Sequence, residues 1–230
     1  MCSHMDTTVQ IRPYEPRDRA ALRQICSDTA DAGRPIEHLF PDREVFADVL
    51  TNYYTEFEPQ SVFVADNGGE VVGYVTGSVN TKRFLRTMMW RIVPVVLVKA
   101  LLRGTLWHPQ TVRLFRANIG MWLKNGYRTG PALDEYPAHL HVNVRDGFRG
   151  QQLGQRLVGA FCERARTAGA RGVHAGVSAE NLRGMHFFEG LGFVELHREP
   201  RFRNPDGSGG VLYTILYGKQ LDERARRAAG

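Results

Sequence analysis

Apolar residues recur along the chain with two periods, and these predict its strands and helices. Alternation with a period of two, typical of strands, occurs in seven segments: residues 9–12, 61–65, 70–79, 138–144, 172–177, 193–203 and 211–221. A spacing near 3.6 predicts helices from residue 16 onward, between Asp42 and Pro59, and over 81–102, 109–124, 153–168 and 181–191. Strands and helices therefore succeed each other along most of the chain.

The order of these elements indicates the fold class. The sequence Asp66-Asn67-Gly68-Gly69 predicts a hairpin between the second and third strands, because Asn-Gly pairs adopt the positive φ that tight hairpins need. Later strands alternate with helices, as in a βαβ unit. A hairpin-built half followed by a βαβ half predicts an α/β fold, one mixed sheet with helices on both faces. Residues 80–135 interrupt the order as a helical insertion.

The composition is that of an ordinary globular protein. Hydrophobic residues make up 43% of the 230 positions and charged residues 23%, which excludes disordered, collagen-like and coiled-coil classes. The length suits one domain, which we place at residues 6–230, and residues 1–5 have the character of a cloning remnant. The three cysteines include no CxxC pair, so we expect a reducing, cytoplasmic location.

The positive charge is concentrated in the insertion. The chain has a net charge of +6, yet residues 80–135 hold ten Lys/Arg and two acids, which gives +8 and leaves about −2 elsewhere. The basicity therefore belongs to one surface. The most apolar window, residues 88–102, is interrupted by Arg91, Pro94 and Lys99 and is shorter than the ~20 residues that span a bilayer. We expect no membrane span, and contact of this window with something apolar.

A glycine-containing turn between a predicted strand and helix is the first candidate site. It has the sequence Phe148-Arg149-Gly150-Gln151-Gln152-Leu153-Gly154. The N-terminus of a helix offers unpaired N–H groups and the positive end of its dipole, so an anion such as a pyrophosphate can bind there. Gly150 and Gly154 permit close approach of the backbone, and Arg149 adds a positive charge.

Two motifs in this order resemble the GCN5-related N-acetyltransferases (GNAT). The turn resembles that family's Arg/Gln-x-x-Gly-x-Gly/Ala, and the helix from Asn181 through Phe187-Phe188-Glu189 to Gly192-Phe193 resembles its Asn-x-x-Ala-x-x-Phe-Tyr-Glu-x-x-Gly-Phe. The resemblance implies a mostly antiparallel mixed sheet with a splayed central strand pair, and acetyl-CoA as cosubstrate. Residues 136–141 and 172–174 are also similar to the acetyltransferase-like domain of some O-GlcNAc hydrolases and its bacterial single-domain relatives.

The resemblance also implies which residues bind the cosubstrate. The main chain of the strand holding Val142, Asn143 and Val144 would hold pantetheine, and Asn181 would reach the same arm. The predicted pyrophosphate-binding residues are Arg149, Gly150, Gln151, Gln152, Leu153, Gly154 and Gln155, and Phe187 and Phe188 complete the set. A helix N-cap is the alternative role for Asn181.

The sequence departs from the family pattern at two positions. Gln152 replaces the middle glycine, and we expect its N–H to donate to a phosphate if its φ is negative. Phe188 replaces the tyrosine that commonly protonates the departing thiolate, and phenylalanine has no proton to donate. Two functions therefore stay open: acyl transfer to a primary amine by direct attack on the thioester, or non-catalytic acyl-CoA binding.

Attack on a thioester requires a neutral amine, so a general base is useful. His139, His141 and Asn143 alternate with apolar residues and share one face of a strand, which indicates a wet cleft. His141 is the candidate base, since Val142 would lie beside the thioester. The alternatives are that both histidines are hydrogen-bonded core residues, or that they bind zinc together with His174.

Other residues are candidates for the remaining proton transfers. Glu135 or Asp134, just before this strand, would act as base through a water molecule, and Tyr213 or Tyr217 as the proton donor. His174 is interpreted first as structural.

The insertion interleaves cations with aromatic residues, namely Phe84, Trp90, Trp107, Phe115, Trp122 and Tyr127. We favour a lid over the acceptor site, or a homodimer face, above a nucleic-acid surface.

Overall fold

One seven-stranded sheet forms the centre of the molecule in the computed structural model, which describes residues 8–30, 33–125, 134–203 and 211–221. The strands are β1 Gln10–Pro13, β2 Phe63–Asn67, β3 Glu70–Ser78, β4 Ala138–Val144, β5 Gly172–Ser178, β6 Val194–Arg203 and β7 Val211–Gln220. The helices are α1 Arg19–Asp28, α2 Arg43–Phe57, α3 Thr81–Thr87, α4 Val93–Leu102, α5 Pro109–Asn125, α6 Leu153–Thr167 and α7 Leu182–Gly190. Each predicted strand and helix is present, with ends shifted by a few residues.

The sheet has the order β1-β2-β3-β4-β5-β7-β6. Neighbouring strands are antiparallel except β4 and β5, which are parallel. These two strands pair only at Ala138–Val173 and His139–His174 and then separate. The predicted mixed α/β sheet with a splayed central pair is confirmed.

Two apolar cores lie on opposite faces of the sheet. On one face, Leu157 and Phe161 of α6 and Phe188 of α7 pack against the alternating apolar residues of β4, β5 and β7. On the other face, Leu22 of α1 and Tyr54 of α2 belong to the second core, together with residues of α4. Because polar and apolar residues alternate along β4, His139 and His141 face the second core while Leu140 faces the first.

Helix α6 lies unusually close to the sheet. A Cβ atom at Gly77 of β3 would lie 2.4 Å from both the carbonyl oxygen of His139 and the ring of Phe161. Only glycine therefore fits at this position, and its absent side chain lets Phe161 of α6 pack directly on β3.

The insertion begins with α3 and α4, which are joined by a π-helical turn at Met88–Ile92. This first part of the insertion ends at Gly104, whose φ is +73°. Ile92, Val96 and Ala100 pack into the second core. The predicted helices over 81–102 and 109–124 are confirmed. The predicted break at Gly126 and the side chains of Trp122 and Tyr127 lie outside the described part of the chain.

Two carboxylates of α2 hold the insertion in place. Lys99 Nζ lies 2.6 Å from the buried Asp48 carboxylate, and Arg103 Nε lies 2.7 Å from Asp42. Burial opposes ionisation of Asp42, but hydrogen bonds from Arg103 and Thr105 outweigh it and lower the pKa of Asp42 to about 2. Within the described residues, no helix has the length and apolar character needed to cross a membrane.

Candidate active site

The separation of β4 from β5 creates a cleft in the middle of the sheet. After His139 and His174 the two strands share no further pairs, so Leu140–Val144 and Ala175–Ser178 face each other across a gap. Backbone N–H and C=O groups on these two inner edges lack strand partners, and such groups bind amide-containing ligands by extending the sheet. The cleft therefore lies where the resemblance implied pantetheine, beside Val142, Asn143 and Val144.

The N-terminus of α6 opens beside the cleft. Strand β4 ends at Val144, the chain makes a 3-10 turn over Asp146–Phe148, and α6 starts at Leu153. In the described structure no side chain caps this helix, so the N–H groups of its first turn are free to bind an anion. Gly150 and Gly154 lie in this loop and first turn, together with the exposed Gln151.

Gln152 does not meet the condition under which its N–H was expected to donate to a phosphate. That condition was a negative φ, whereas its φ is +58°, in the left-handed region. Gly150 also has a positive φ, +83°, so the turn has two left-handed residues within three positions. Glutamine has thus taken the conformation that glycine adopts freely, at a cost of roughly 1 kcal/mol.

Arg149 is held at the start of the turn. Its Nε donates to the carbonyl oxygen of Val144 at 3.1 Å, and its guanidinium forms an ion pair with the exposed Asp146. A Cβ atom at Gly33, whose φ is +97°, would lie 3.0 Å from Nη2 of Arg149. The side chain therefore connects the end of β4, the turn and residue 33, and it keeps a positive charge beside the α6 N-terminus.

Helix α7 closes the other side of the cleft. Asn181 is its N-cap, because its side-chain Oδ1 accepts the N–H of Gly184 at 2.9 Å. The ring of Phe187 packs so closely on α6 that a Cβ atom at Gly154 would lie 3.0 Å from it. The amide nitrogen of Asn181 is left for a ligand, so the N-cap role and the predicted pantetheine contact are compatible.

The hydrogen bonds of His139 fix its tautomer. The Thr81 hydroxyl donates to the carbonyl oxygen of Pro137 at 2.8 Å, so it must accept the N–H of His139 Nδ1, also at 2.8 Å. His139 Nε2 then accepts the hydroxyl proton of Tyr54 at 2.8 Å. Burial, with His141 and His174 nearby, lowers the pKa of His139 well below 6.5. His139 is therefore a neutral core histidine.

His141 has a different environment although it lies two residues further along the same face. More than a third of its surface is accessible, and it lies on the part of β4 that has separated from β5. Protein surrounds the ring on its other sides, including Tyr54 at 6.1 Å and His139 at 6.0 Å between ring centroids. This crowding, with a smaller effect of His174, lowers the pKa of His141 to about 4. No hydrogen bond to another described residue occupies either ring nitrogen. His141 is thus a neutral imidazole open to a ligand at pH 7.

Comparisons with known proteins agree with this geometry. Residues 119–193 match the model of the acetyltransferase (GNAT) family. The crystal structure of SsHAT has a TM-score of 0.72 at 28% identity and covers 94% of this chain and 99% of its own. Residues 119–193 are thus similar to the GNAT acetyltransferases, and the chain as a whole has the fold of SsHAT.

Solved structures of lower identity share the fold. The putative acetyltransferase yncA from Salmonella typhimurium, solved with acetyl-CoA, is 18% identical with a TM-score of 0.56 and covers 94% of this chain and 95% of its own. An N-acetyltransferase from Staphylococcus aureus Mu50 is 15% identical with a TM-score of 0.57 and covers 94% and 99%. The narrower resemblance to the domain of O-GlcNAc hydrolases stays a prediction.

Two of the predicted catalytic groups lie away from the cleft. The carbonyl oxygen of Glu135 lies near Gly172, at the paired end of β4 and β5, whereas the cleft opens at their other end. Asp134 is exposed and bound to Lys82 at 2.7 Å, which lowers its pKa. The structure therefore does not bring Glu135 or Asp134 to His141, because β4 carries the chain away from them.

The tyrosines of β7 lie on the sheet face opposite His141. Strand pairing places Tyr213 and Tyr217 on the face covered by α7. Tyr217 is fully buried and donates to Glu189 at 2.8 Å, and burial raises its pKa to about 12. Tyr213 is half exposed at the open end of β5, where its carbonyl accepts the N–H of Ala179. Tyr213 is the better placed of the two to reach a group in the cleft.

The remaining candidate residues are held in place by contacts within the protein. Phe188 is buried, stacked on Tyr217, and belongs to the apolar core. His174 donates its Nδ1–H to the carbonyl oxygen of Tyr136 at 2.7 Å, and Asn143 donates to the hydroxyl of Tyr74 at 2.8 Å. Because both ring nitrogens of His139 are occupied, the zinc alternative lacks a ligand. Within the described residues, no cluster of His, Cys, Asp or Glu is arranged to hold a metal.

Sequence reasoning missed the groups that α2 and α3 contribute behind the cleft. Tyr54 and Thr81 set the state of His139, and the buried carboxylate of Glu58 accepts four hydrogen bonds, from Tyr53, Ser61, Ser78 and the N–H of Val79. Glu58 thereby fixes the end of β3 where the insertion starts. Tyr53 and Tyr54 lie in a helical apolar stripe, which signals packing, and nothing in the sequence indicated their hydroxyl partners.

The left-handed Gln152 yields a testable prediction. We expect Gln152→Gly to keep both the melting temperature and CoA affinity, since the roughly 1 kcal/mol of strain it removes is offset by greater unfolded-chain entropy. Gln152→Val puts a β-branched residue at positive φ, and at 1–3 kcal/mol of strain we expect CoA binding to weaken about 10-fold. Thermal unfolding and titration calorimetry measure both effects. Equal affinity of the two variants would contradict the assigned backbone.

Proposed function

We propose that this protein transfers an acetyl group from acetyl-CoA to a primary amine by direct attack. The observation that carries the proposal is the cleft itself. It has an uncapped helix N-terminus with Arg149 at one end and the open, neutral ring of His141 inside. A phosphate-binding end and a base on one cleft are what amine acylation by a CoA thioester requires.

The cosubstrate residues follow from the same geometry. The free strand edge beside Val142–Val144 would bind the amide-containing pantetheine arm, with the Asn181 amide as a further contact. Residues 149–155 would bind the pyrophosphate through the first-turn N–H groups of α6. Bound acetyl-CoA supplies an activated acyl carbon, and these residues orient it toward the face that holds His141.

The chemical step balances with one base and one acid. The amine nitrogen forms a bond to the thioester carbonyl carbon, the carbon–sulfur bond breaks, and CoA leaves as a thiolate. The proton lost by the amine passes to His141, directly or through water. The thiolate takes up a proton, for which Tyr213 or solvent is the source, because Phe188 has none to give. A base of this type contributes about 10²–10⁴-fold to the rate.

A second candidate function is a non-catalytic acyl-CoA-binding module. The observation in its favour is Phe188, which packs into the core where related enzymes have a proton-donating tyrosine. This module would keep the phosphate-binding turn and lack turnover.

Thiol release from acetyl-CoA separates the two candidates. Calorimetry first establishes that the folded protein binds CoA, and thiol release is then followed with polyamines, aminoglycosides, amino sugars and lysine peptides. Release above the rate of background hydrolysis with any acceptor supports the enzyme. CoA binding with no release across the panel supports the module. Absence of CoA binding at hundreds of micromolar would overturn both.

A further inference from the structure

The outer face of α4 is a continuous apolar surface exposed to solvent. Trp90 is 77% exposed, Leu102 82% and Trp107 73%. We call the set the outer apolar face, and it comprises Met89, Trp90, Val95, Leu97, Val98, Leu101, Leu102 and Trp107. Side chains of this size lie in water at considerable cost, and contiguous apolar surfaces of this kind commonly mark interaction sites.

Helix geometry explains why no charge interrupts this face. Val96 and Ala100 point inward to the second core, and at 100° per residue the opposite side of α4 carries Val98, Leu101 and Leu102. The helix has one cation, Lys99, which turns toward the buried Asp48, and Arg103 at its end turns toward Asp42. Lys99 and Arg103 therefore form ion pairs on the inner side of the helix, and the outer face of α4 carries no charged residue.

The insertion that carries this face also carries unpaired cations. Residues 81–125 contain nine Lys/Arg and no Asp or Glu. Arg86 is exposed and precedes Met89 and Trp90 by three and four positions, so it lies along the same side of the helix. Among the described residues, no carboxylate forms an ion pair with Arg83, Arg86, Arg113 or Arg116. The face thus combines exposed Trp, Leu and Val side chains with the positive charge of Arg86 on the same side, within a segment that is basic throughout.

The charge distribution decides between occupants. In a two-fold dimer the same surface meets itself, so a second copy would bring the cations of one insertion against those of the other. A nucleic acid neutralises the cations and stacks on aromatic rings, but it offers no apolar interior for Val98, Leu101 and Leu102. An anionic bilayer surface offers negative head groups at the border and acyl chains beneath them.

We propose that the outer apolar face docks on the surface of an anionic lipid bilayer, with α4 lying parallel to the membrane plane. Trp90, Trp107 and Leu102 insert among the head groups and upper acyl chains, and Arg83 and Arg86 contact lipid phosphates. Binding is peripheral, and the acyl-CoA cleft is a separate site.

Vesicle co-sedimentation of the full chain tests the proposal. We expect binding to vesicles of phosphatidylcholine with 30% phosphatidylglycerol, little binding to phosphatidylcholine alone, and weaker binding at 0.5 M NaCl, because salt screens the charged contacts. The tryptophan emission shifts to the blue with the anionic vesicles only. Equal binding to both vesicle types, or none to either, overturns the proposal.

Three variants identify the surface. Trp90→Ser with Leu102→Ser is expected to weaken vesicle binding about 30-fold, and Arg83→Ala with Arg86→Ala about 10-fold or more. Val194→Ser removes an exposed apolar side chain 58% accessible on β6 and should leave binding unchanged. Unaltered CoA affinity and melting temperature show that each variant is folded.

The rival occupants give different results. If the protein is a dimer that the Trp90/Leu102 variant converts to a monomer, and vesicles do not bind, the face belongs to a second copy. If an RNA oligonucleotide binds with dependence on Arg83 and Arg86 but not on Trp90 and Leu102, and vesicles do not, the surface is one for nucleic acid. Either result overturns the lipid proposal.

Discussion

Replacing His141 with glutamine is expected to lower kcat about 100-fold or more while CoA affinity stays unchanged. Glutamine has a similar size and hydrogen-bonding capacity but cannot take up the amine proton. The ring of His141 faces the cleft and has no hydrogen bond to another described residue, so its loss should leave the melting temperature nearly unchanged. Steady-state kinetics with the best acceptor, calorimetry with CoA and thermal unfolding measure the three quantities.

His139→Gln is the matched control, on the same strand face two residues away. His139 is held on both ring nitrogens by Thr81 and Tyr54 in a buried setting. Removing it leaves buried partners unsatisfied, at about 1–3 kcal/mol, so we expect a lower melting temperature. The two variants should therefore differ in kind: one loses turnover and the other loses stability. Near-normal turnover in folded His141→Gln would show that His141 is not the base.

The pH dependence follows from the lowered pKa of His141. Protonation of the acceptor amine lowers kcat/KM in every variant as the pH falls. A base must also be neutral, so the additional loss that comes from protonating His141 should begin only below pH 6.5, toward a pKa of about 4. The limb should be absent in His141→Gln.

The free energy of unfolding is also expected to decrease in this pH range. The direction of the change follows from the pKa values of the buried histidines. His139 and His174 also have pKa values below 6.5 in the folded protein, chiefly through burial. The unfolded chain then binds more protons below pH 6.5, so their stabilisation is complete above 6.5 and is lost as the pH falls toward the folded values. Circular dichroism at each pH is therefore required. A fall in rate above pH 6.5 that is steeper than amine protonation explains, in folded protein, would assign the limb to another group.

Replacing Arg149 with glutamate is expected to weaken CoA binding about 100-fold, equivalent to roughly 2.7 kcal/mol. The change removes a positive charge from the α6 N-terminus and puts a carboxylate where the pyrophosphate would bind. It also places that carboxylate near Asp146 and the Val144 carbonyl oxygen, which Arg149 now binds. Arg149→Met, which loses the charge without reversing it, should have an intermediate effect. Calorimetry with CoA gives the Kd of each variant.

Arg166→Glu provides the matched control for charge. It makes the same change in net charge at the other end of α6, where Arg166 is exposed and bound to Glu163. Thirteen residues from the helix start, it lies about 20 Å away, beyond the Debye length of about 8 Å at 0.15 M salt. We expect its CoA affinity to be unchanged. If Arg149→Glu and Arg166→Glu weaken binding equally, the effect is one of net charge, and the pyrophosphate site lies elsewhere.

The phosphate-binding turn could be predicted because its determinants are close in sequence. A strand, a glycine-containing turn and a helix follow each other within residues 138–167, and the order of these elements by itself puts an anion site at the helix start. The backbone of Gln152 could not be predicted, since a positive φ is rare for residues other than glycine and the residue types of the turn do not specify it. A local pattern identifies the site but does not fix the backbone conformation within it.

The polar face of β4 shows the same division. Alternation along the strand determined that His139 and His141 share a face, because successive side chains of any strand point to opposite sides. Tyr54 and Thr81 form hydrogen bonds with His139 and so leave only His141 free. They are 85 and 58 positions from His139 in sequence. The sequence likewise determined that the insertion is helical and that it contains both basic residues and an apolar segment. Only the tertiary structure decided that Lys99 and Arg103 turn inward to Asp48 and Asp42 while the opposite, apolar side of α4 faces water, since burial depends on which surfaces meet.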